Sequence, residues 1–340
     1  METSMIPSLF PYPGGKRRVV VLVHERMGRV AARIEPFAGT AVWALSAPDD
    51  GATTTINDAD GLITNCYRAI AADPDAVARW VDWPVSELDL HARHRWLVEQ
   101  RDALEARLRT DPDYYDAKVA GWWLWGICQW IGDDWCPRTA HLHQKIPHLG
   151  DAGHGVHRRS HRTANLYQQI PHLGDAGRGV HRRSHRTGGM TVRDLLEEYA
   201  RRLRPMRIVC GDWRRVVTPA VTQQHGTTAV FLDPPYPNVG IRYAGGAAHV
   251  WEEAWAWAVA NGDTPGLRIA ICGYDDGRPV PPGWTVYRWK ANGGYGNQGH
   301  GAGRANAARE TIWFSPHCVN ETPIERMIRD HALSDPQIDD

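Results

Sequence analysis

Short apolar runs bounded by Gly, Pro or Asp recur at both ends of the 340-residue chain, and a helix-patterned stretch separates them. Near the amino terminus, Ala31–Glu35 and Thr53–Ile56 read as short buried strands. In the carboxy-terminal half Arg207–Cys210, Thr228–Leu232, Leu267–Cys272, Trp284–Trp289 and Glu310–Phe314 read the same way. Between the two groups Asp75–Trp80, Glu87–Leu108 and Tyr115–Ile131 carry helical periodicity, and the last is apolar almost all round, as a buried helix is. Strands alternating with helices at both ends predict one α/β domain interrupted by an insertion. The divisions expected are 1–70 with 191–318 for that domain, 71–190 for a mostly helical and looped insertion, and 319–340 for a tail.

Composition narrows the setting. The longest uninterrupted apolar run, Val119–Cys128, is about half the ~18 residues a membrane span needs, so no membrane association is expected. Met1–Phe10 lacks the positive charge of a secretory signal. Six cysteines with no CxxC pair point to reduced thiols and a cytoplasmic setting.

Charge sums to zero, 39 basic against 39 acidic residues, but it is unevenly spread. Thr139–Thr187 holds eight Lys/Arg against two Asp, together with nine of the 17 histidines, which suggests contact with a polyanion at one place. The same segment is a direct repeat. Residues 139–162 and 163–186 match at 20 of 24 positions, each copy ending in the basic HRRSHR. Two copies are too few for a solenoid, so they read as a doubled loop or arm. Either one copy covers a duplex groove while the other extends it, or the second is a tolerated insertion in an exposed loop. Eight of the 16 tryptophans fall between Trp80 and Trp135, which predicts a helical layer packed on indoles.

The chemistry lies in Leu232–Pro237, LDPPYP. Consecutive prolines cannot donate to a central strand, so Pro234 and Pro235 hold the chain rigid just past Thr228–Leu232. Asp233, the Pro234 carbonyl and Tyr236 are thereby fixed at a strand's carboxyl end, where open α/β sheets bind ligands. A carboxylate, a carbonyl and an aromatic face suit a planar heteroaromatic amine: the two acceptors take its N–H bonds while its ring stacks.

The succession PYPGGK (11–16), EPFAGT (35–40), INDAD (56–60) and DPPY (233–236) resembles the Dam-type (D12 class) DNA adenine-N6 methyltransferases. CGDW (210–213) and ETIWFSP (310–316) extend the resemblance, which spans residues 8–70 and 205–316. It implies an AdoMet-dependent methyltransferase fold, a Rossmann-like mixed sheet with helices on both faces, and a target-recognition insertion at 71–190. It also implies S-adenosyl-L-methionine (AdoMet) as cofactor and double-stranded DNA as partner. The enzyme would act as a monomer in a bacterial or phage context, beside a possible cognate restriction nuclease.

Carried onto this chain, the resemblance places Tyr12 and Lys16 at the border of the AdoMet pocket, Lys16 near the methionine carboxylate. Glu35, Pro36, Phe37 and Gly39 would form the turn against the methionine moiety, and Asp58 would accept from the ribose hydroxyls. Asp233 would meet both the methionine amino group and the target amine, with Pro234, Pro235 and Tyr236 completing the catalytic motif. Asp60 stands where relatives often carry Asn, so Asp58 is the ribose candidate, although it could equally cap a helix. Lys16 could also be a solvated charge. A helix is expected after PGGK, although Val19–Val23 is β-branched and reads locally as strand.

The duplicated basic ends, Arg158, Arg159, Arg162, Arg182, Arg183 and Arg186, are the candidate DNA contacts, the alternative being solvated loops. Gly293–Gly303 reads as a flap over the flipped base or as a plain hairpin loop. Cys128, Cys136, His141, His143 and the His157/His161 pair have ligand chemistry without zinc-site spacing, and no metal is expected. Two further readings stay open: the same chemistry on cytosine N4 or on adenine in RNA, and a non-catalytic DNA-binding protein of the same fold. The leading Asp of DPPY, where cytosine-N4 enzymes usually have Ser, favours adenine.

Overall fold

Seven strands form a single sheet among the residues that the computed structural model describes, which are 6–10, 15–130, 135–136, 191–224, 226–236, 249–289 and 309–320. They are β1 (Ala32–Glu35), β2 (Thr53–Asp58), β3 (Arg207–Cys210), β4 (Thr228–Leu232), β5 (Leu267–Tyr274), β6 (Thr285–Arg288) and β7 (Glu310–Phe314), in the order β3-β2-β1-β4-β5-β7-β6. The first five are parallel, with Ile34 of β1 opposite both Thr55 of β2 and Val230 of β4. β7 runs antiparallel to β5 and β6, which makes the sheet mixed. The central strands β1, β4 and β7 are buried at every position, the condition for a sheet covered on both faces.

The chain after PGGK is a helix, α1 (Val20–Met27). Val19, Val20, Val23 and Met27 fall on one face and enter the core with β4, β5 and β7, so helical spacing against the sheet overrides the β preference of the valines. A short α2 (Val42–Leu45) follows the turn after β1.

The helices of the middle segment begin where short polar side chains can cap them. Asp60 accepts from Leu62 N at α3 (Gly61–Ala72), and Asp73 from Ala76 N at α4 (Pro74–Val81), where Pro74 opens the helix. Ser86 caps α5 (Glu87–Thr110) and Asp116 caps α6 (Ala117–Gln129). Thr191 and Asp194 form a reciprocal capping box at α7 (Val192–Leu203). Helix α6 is buried as expected and packs on α3, α4 and α5. Helices α3 to α7 share one apolar core with Ile56 of β2, so the segment after residue 70 is built onto the sheet.

The indole layer is present, but cations are interleaved with it. Trp125 is fully buried, and the Arg93 guanidinium lies 4.2 Å from its ring and 5.0 Å from that of Trp122. The Lys118 ammonium is 4.3 Å from the same Trp122 and 4.6 Å from Trp96. Trp80 and Trp83 remain exposed. Gly121 is what lets α6 approach α4, since a Cβ there would stand 2.3 Å from the Cβ of Trp80.

A 3₁₀ turn (Trp213–Val216), α8 (Pro219–Thr222) and α9 (Val250–Asn261) complete the described elements. Among the described residues no helix is long and apolar enough to cross a membrane. Outside the described residues lie Tyr12, the two repeat copies with Arg158, Arg159, Arg162, Arg182, Arg183 and Arg186, and the Gly293–Gly303 stretch. So do His141, His143, His157 and His161, and the tail from residue 321.

Candidate active site

The strand order reverses between β1 and β4. From β1 the chain moves outward through β2 to β3, and from β4 it moves the other way to β5. Ligands of open α/β sheets bind at the carboxyl ends of the strands at such a reversal. EPFAGT leaves the carboxyl end of β1, NDAD that of β2, CGDW that of β3 and DPPY that of β4.

Side chains of β2 lace the first three of these turns together. Asn57 is buried and donates through Nδ2 to the Pro36 carbonyl (2.9 Å) and the Gly211 carbonyl (3.1 Å). Asp58 accepts the Gly39 N–H at Oδ2 (2.9 Å) and the Asp60 N–H at Oδ1 (2.8 Å). Gly39 takes up a positive φ of 46°, which bends the β1 turn back toward this carboxylate, and its carbonyl accepts from the Tyr67 hydroxyl at 2.5 Å. Burial pushes the Asp58 carboxyl up to about 6, against the pull of the Asp60 and Gly39 N–H groups. Glu35 is buried at the end of β1, where Oε2 accepts the Ala44 N–H (2.8 Å), and burial pushes its carboxyl up to about 8. Phe37 is half-buried, its ring 5.5 Å from that of Trp213 in the turn after β3.

The fourth turn meets the amino-terminal segment. Lys16 is buried, with Nζ 3.0 Å from Asp233 Oδ1 and 3.8 Å from Glu310 Oε2. Burial pulls the pKa of this ammonium down, but the two carboxylates outweigh it and hold it above the ordinary lysine range. The Tyr236 hydroxyl lies 3.1 Å from Asp233 Oδ1 and 3.3 Å from Glu310 Oε2. Lys16 Nζ sits 5.0 Å from the centre of the Tyr236 ring, and Tyr274 meets that ring edge-on at 4.7 Å. Burial, followed by the Asp233 charge, raises the Tyr236 phenol well above its ordinary value, so it stays a neutral hydroxyl.

Residues 12–108 match the family model of the D12 class N6 adenine-specific DNA methyltransferases. Over that span the chain is similar to the D12 class methyltransferases. The family methylates adenine in DNA and takes AdoMet as methyl donor, which implies the same chemistry for this chain. A search among curated proteins found no match.

DPPY lies beyond the matched span, and the sheet brings it there: Asp233 follows β4, the strand hydrogen-bonded to β1. The residues at the sheet edge suit AdoMet. Asp58 and Asp233 are partly exposed carboxylates for hydroxyl or ammonium donors, and Phe37 in the turn after β1 is half-buried. Within the methyltransferase Asp60 is engaged elsewhere. It caps α3, and its carboxylate also holds Arg101 of α5, Oδ1 to Nη1 at 2.7 Å. Cys136, whose thiol faces the His94 carbonyl at 4.0 Å, is buried and its own carbonyl accepts from Arg101.

Sequence reasoning singled out Lys16 and Asp233 but not their partner Glu310, nor Asn57, which ties the turns of β1 and β3. Asn57 had a local signal, a polar residue inside an otherwise strand-forming run. Glu310 had only its position at the head of ETIWFSP.

Proposed function

We propose that this methyltransferase acts on an adenine flipped out of duplex DNA, with Asp233 and the Pro234 carbonyl accepting the two hydrogens of the exocyclic amine. The amine's lone pair is delocalised into the purine ring, which makes the nitrogen a poor nucleophile. Accepting both N–H bonds returns that pair to nitrogen. AdoMet supplies a methyl group already activated by a positively charged sulfur. Asp233 and the Pro234 carbonyl would hold N6 in line with the methyl group that AdoMet would supply, and Asp233 would accept the proton that the methylated nitrogen sheds. The chain contributes positioning and electrostatics.

Flipping the base costs a few kcal/mol, and stacking on Tyr236 would offset ~1–3 kcal/mol of it. In this reading Lys16, Tyr12, Glu35, Pro36, Phe37, Gly39 and Asp58 surround the cofactor, Asp58 serving the ribose. Pro235 keeps the motif rigid. Residues 71–190 read the target, and Arg158, Arg159, Arg162, Arg182, Arg183 and Arg186 hold phosphates. The enzyme works as a monomer in the cytoplasm of a bacterium or phage host.

The observation that supports this most is the contact of Asp233 with Lys16 at 3.0 Å, which joins the DPPY motif to the segment that opens the chain. The test is transfer of labelled methyl from AdoMet to duplex DNA, followed by nucleoside mass spectrometry. The wild type should yield N6-methyladenine, and Asp233→Ala should yield none while retaining DNA binding. Turnover by the variant, or N4-methylcytosine as product, would refute the assignment.

A further inference from the structure

Asp233 Oδ1 cannot serve the target amine while it holds its present neighbours. This oxygen takes both the Lys16 ammonium at 3.0 Å and the Tyr236 hydroxyl at 3.1 Å. Both donors are buried, and a buried donor that loses its acceptor away from water is costly. If Asp233 is to turn toward an amine, some other acceptor must receive them. Glu310 stands at that place. It opens β7, it is 5% exposed, and its Oε2 lies 3.3 Å from the Tyr236 hydroxyl and 3.8 Å from Lys16 Nζ.

A tyrosine hydroxyl has one proton to donate, so it can serve Asp233 or Glu310 but not both as ionised carboxylates. The hydroxyl therefore has two alternative acceptors, and a small rotation carries it from one to the other.

Charge points the same way. One ammonium beside two carboxylates leaves a negative excess, and the Glu310 carboxyl is raised by burial, with Lys16 opposing and Asp233 adding to it. A sulfonium would balance that excess. The corresponding thioether, which is what the cofactor becomes after transfer, would not.

We propose that Glu310 is a positioning residue of the methyl transfer: it takes over Lys16 and the Tyr236 hydroxyl so that Asp233 is released to the adenine amine, and its charge favours the sulfonium over the thioether. The inference rests on the assignment of Asp233 to the target amine.

The test uses the full-length enzyme with duplex DNA, with three variants measured beside the wild type. Glu310→Gln keeps the shape and removes the charge. Its single-turnover rate of methyl transfer should fall on the order of 100-fold, the scale of a misplaced reacting group. Its preference for AdoMet over S-adenosylhomocysteine, taken as the ratio of the two dissociation constants, should weaken about tenfold. Glu310→Asp keeps the charge but draws the oxygens back, so its preference should match the wild type while its rate lies between. A purely structural Glu310 would lower stability and leave the ratio unmoved.

Wild-type rate and ratio in Glu310→Gln would overturn the proposal. If that variant does not fold, Glu310→Asp decides alone: a lost preference counts against the proposal, and a kept preference with a slower rate supports it. Asp233→Ala separates the two layers. Turnover in that variant sinks the assignment beneath the inference, whereas a dead Asp233→Ala beside an unaffected Glu310→Gln sinks only the inference.

Discussion

Arg101 of α5 and Asp60, the cap of α3, form a part-buried ion pair in which Nη1 lies 2.7 Å from Oδ1 and Nη2 3.3 Å from Oδ2. The pair joins the middle helices to the cofactor edge, because the Asp60 N–H donates to Asp58, the ribose candidate. The same guanidinium holds the carbonyl of Cys136.

Removing one partner of such a pair leaves a part-buried charge behind. Arg101→Met should cost about 3–5 kcal/mol in urea unfolding. It should also weaken binding of an AdoMet analogue in the folded fraction, since the Asp58–Asp60 turn loses its brace. A stable variant with unchanged analogue affinity would show that the pair does not brace the turn.

Asn57 closes two carbonyls at once, those of Pro36 and Gly211. Asn57→Ala orphans both and should destabilise the fold by ~1–3 kcal/mol. The KM for AdoMet should rise more than kcat falls, because the proposed assignment puts Pro36 of the β1 turn at the cofactor and not at the amine. Steady-state kinetics with methyl-labelled AdoMet check this, and an unchanged KM would break the link.

Glu35 gives stability a sign with pH. Its ordinary pKa is 4.5 and burial lifts it to about 8, so the folded chain holds this proton more tightly than the unfolded one. The resulting stabilisation is complete below about 4.5 and is lost as pH rises through about 8. His24 acts in the other window. Burial, then the neighbouring Arg33, lowers it to about 4 from 6.5, so its stabilisation is complete above about 6.5 and is lost as pH falls toward 4. Glu35→Gln should match the wild type near the acidic end of the Glu35 window and exceed it above pH 8 by up to about 5 kcal/mol. Denaturant midpoints across that range decide the matter, and parallel curves for the two proteins would reject it.

Periodicity and punctuation in the sequence determined the local framework. The predicted strands Arg207–Cys210, Thr228–Leu232 and Glu310–Phe314 are those of the sheet, because each is a short apolar run between residues that cannot continue it. The helical runs Asp75–Trp80, Glu87–Leu108 and Tyr115–Ile131 became α4, α5 and α6, since helical periodicity is a property of near neighbours. DPPY and the glycine turns were legible for the same reason: backbone rigidity and a missing Cβ are properties of single residues.

What passes between distant segments was decided by the tertiary structure alone. Val19–Val23 favours a strand by itself and becomes part of a helix only because the valines at helical spacing meet β4, β5 and β7. Lys16, Asp233 and Glu310 are far apart along the chain, and none says which of the others it will touch. A charge in sequence has no fixed partner. Pairing becomes definite only when burial removes water as the competing partner, and burial is a property of the assembled sheet.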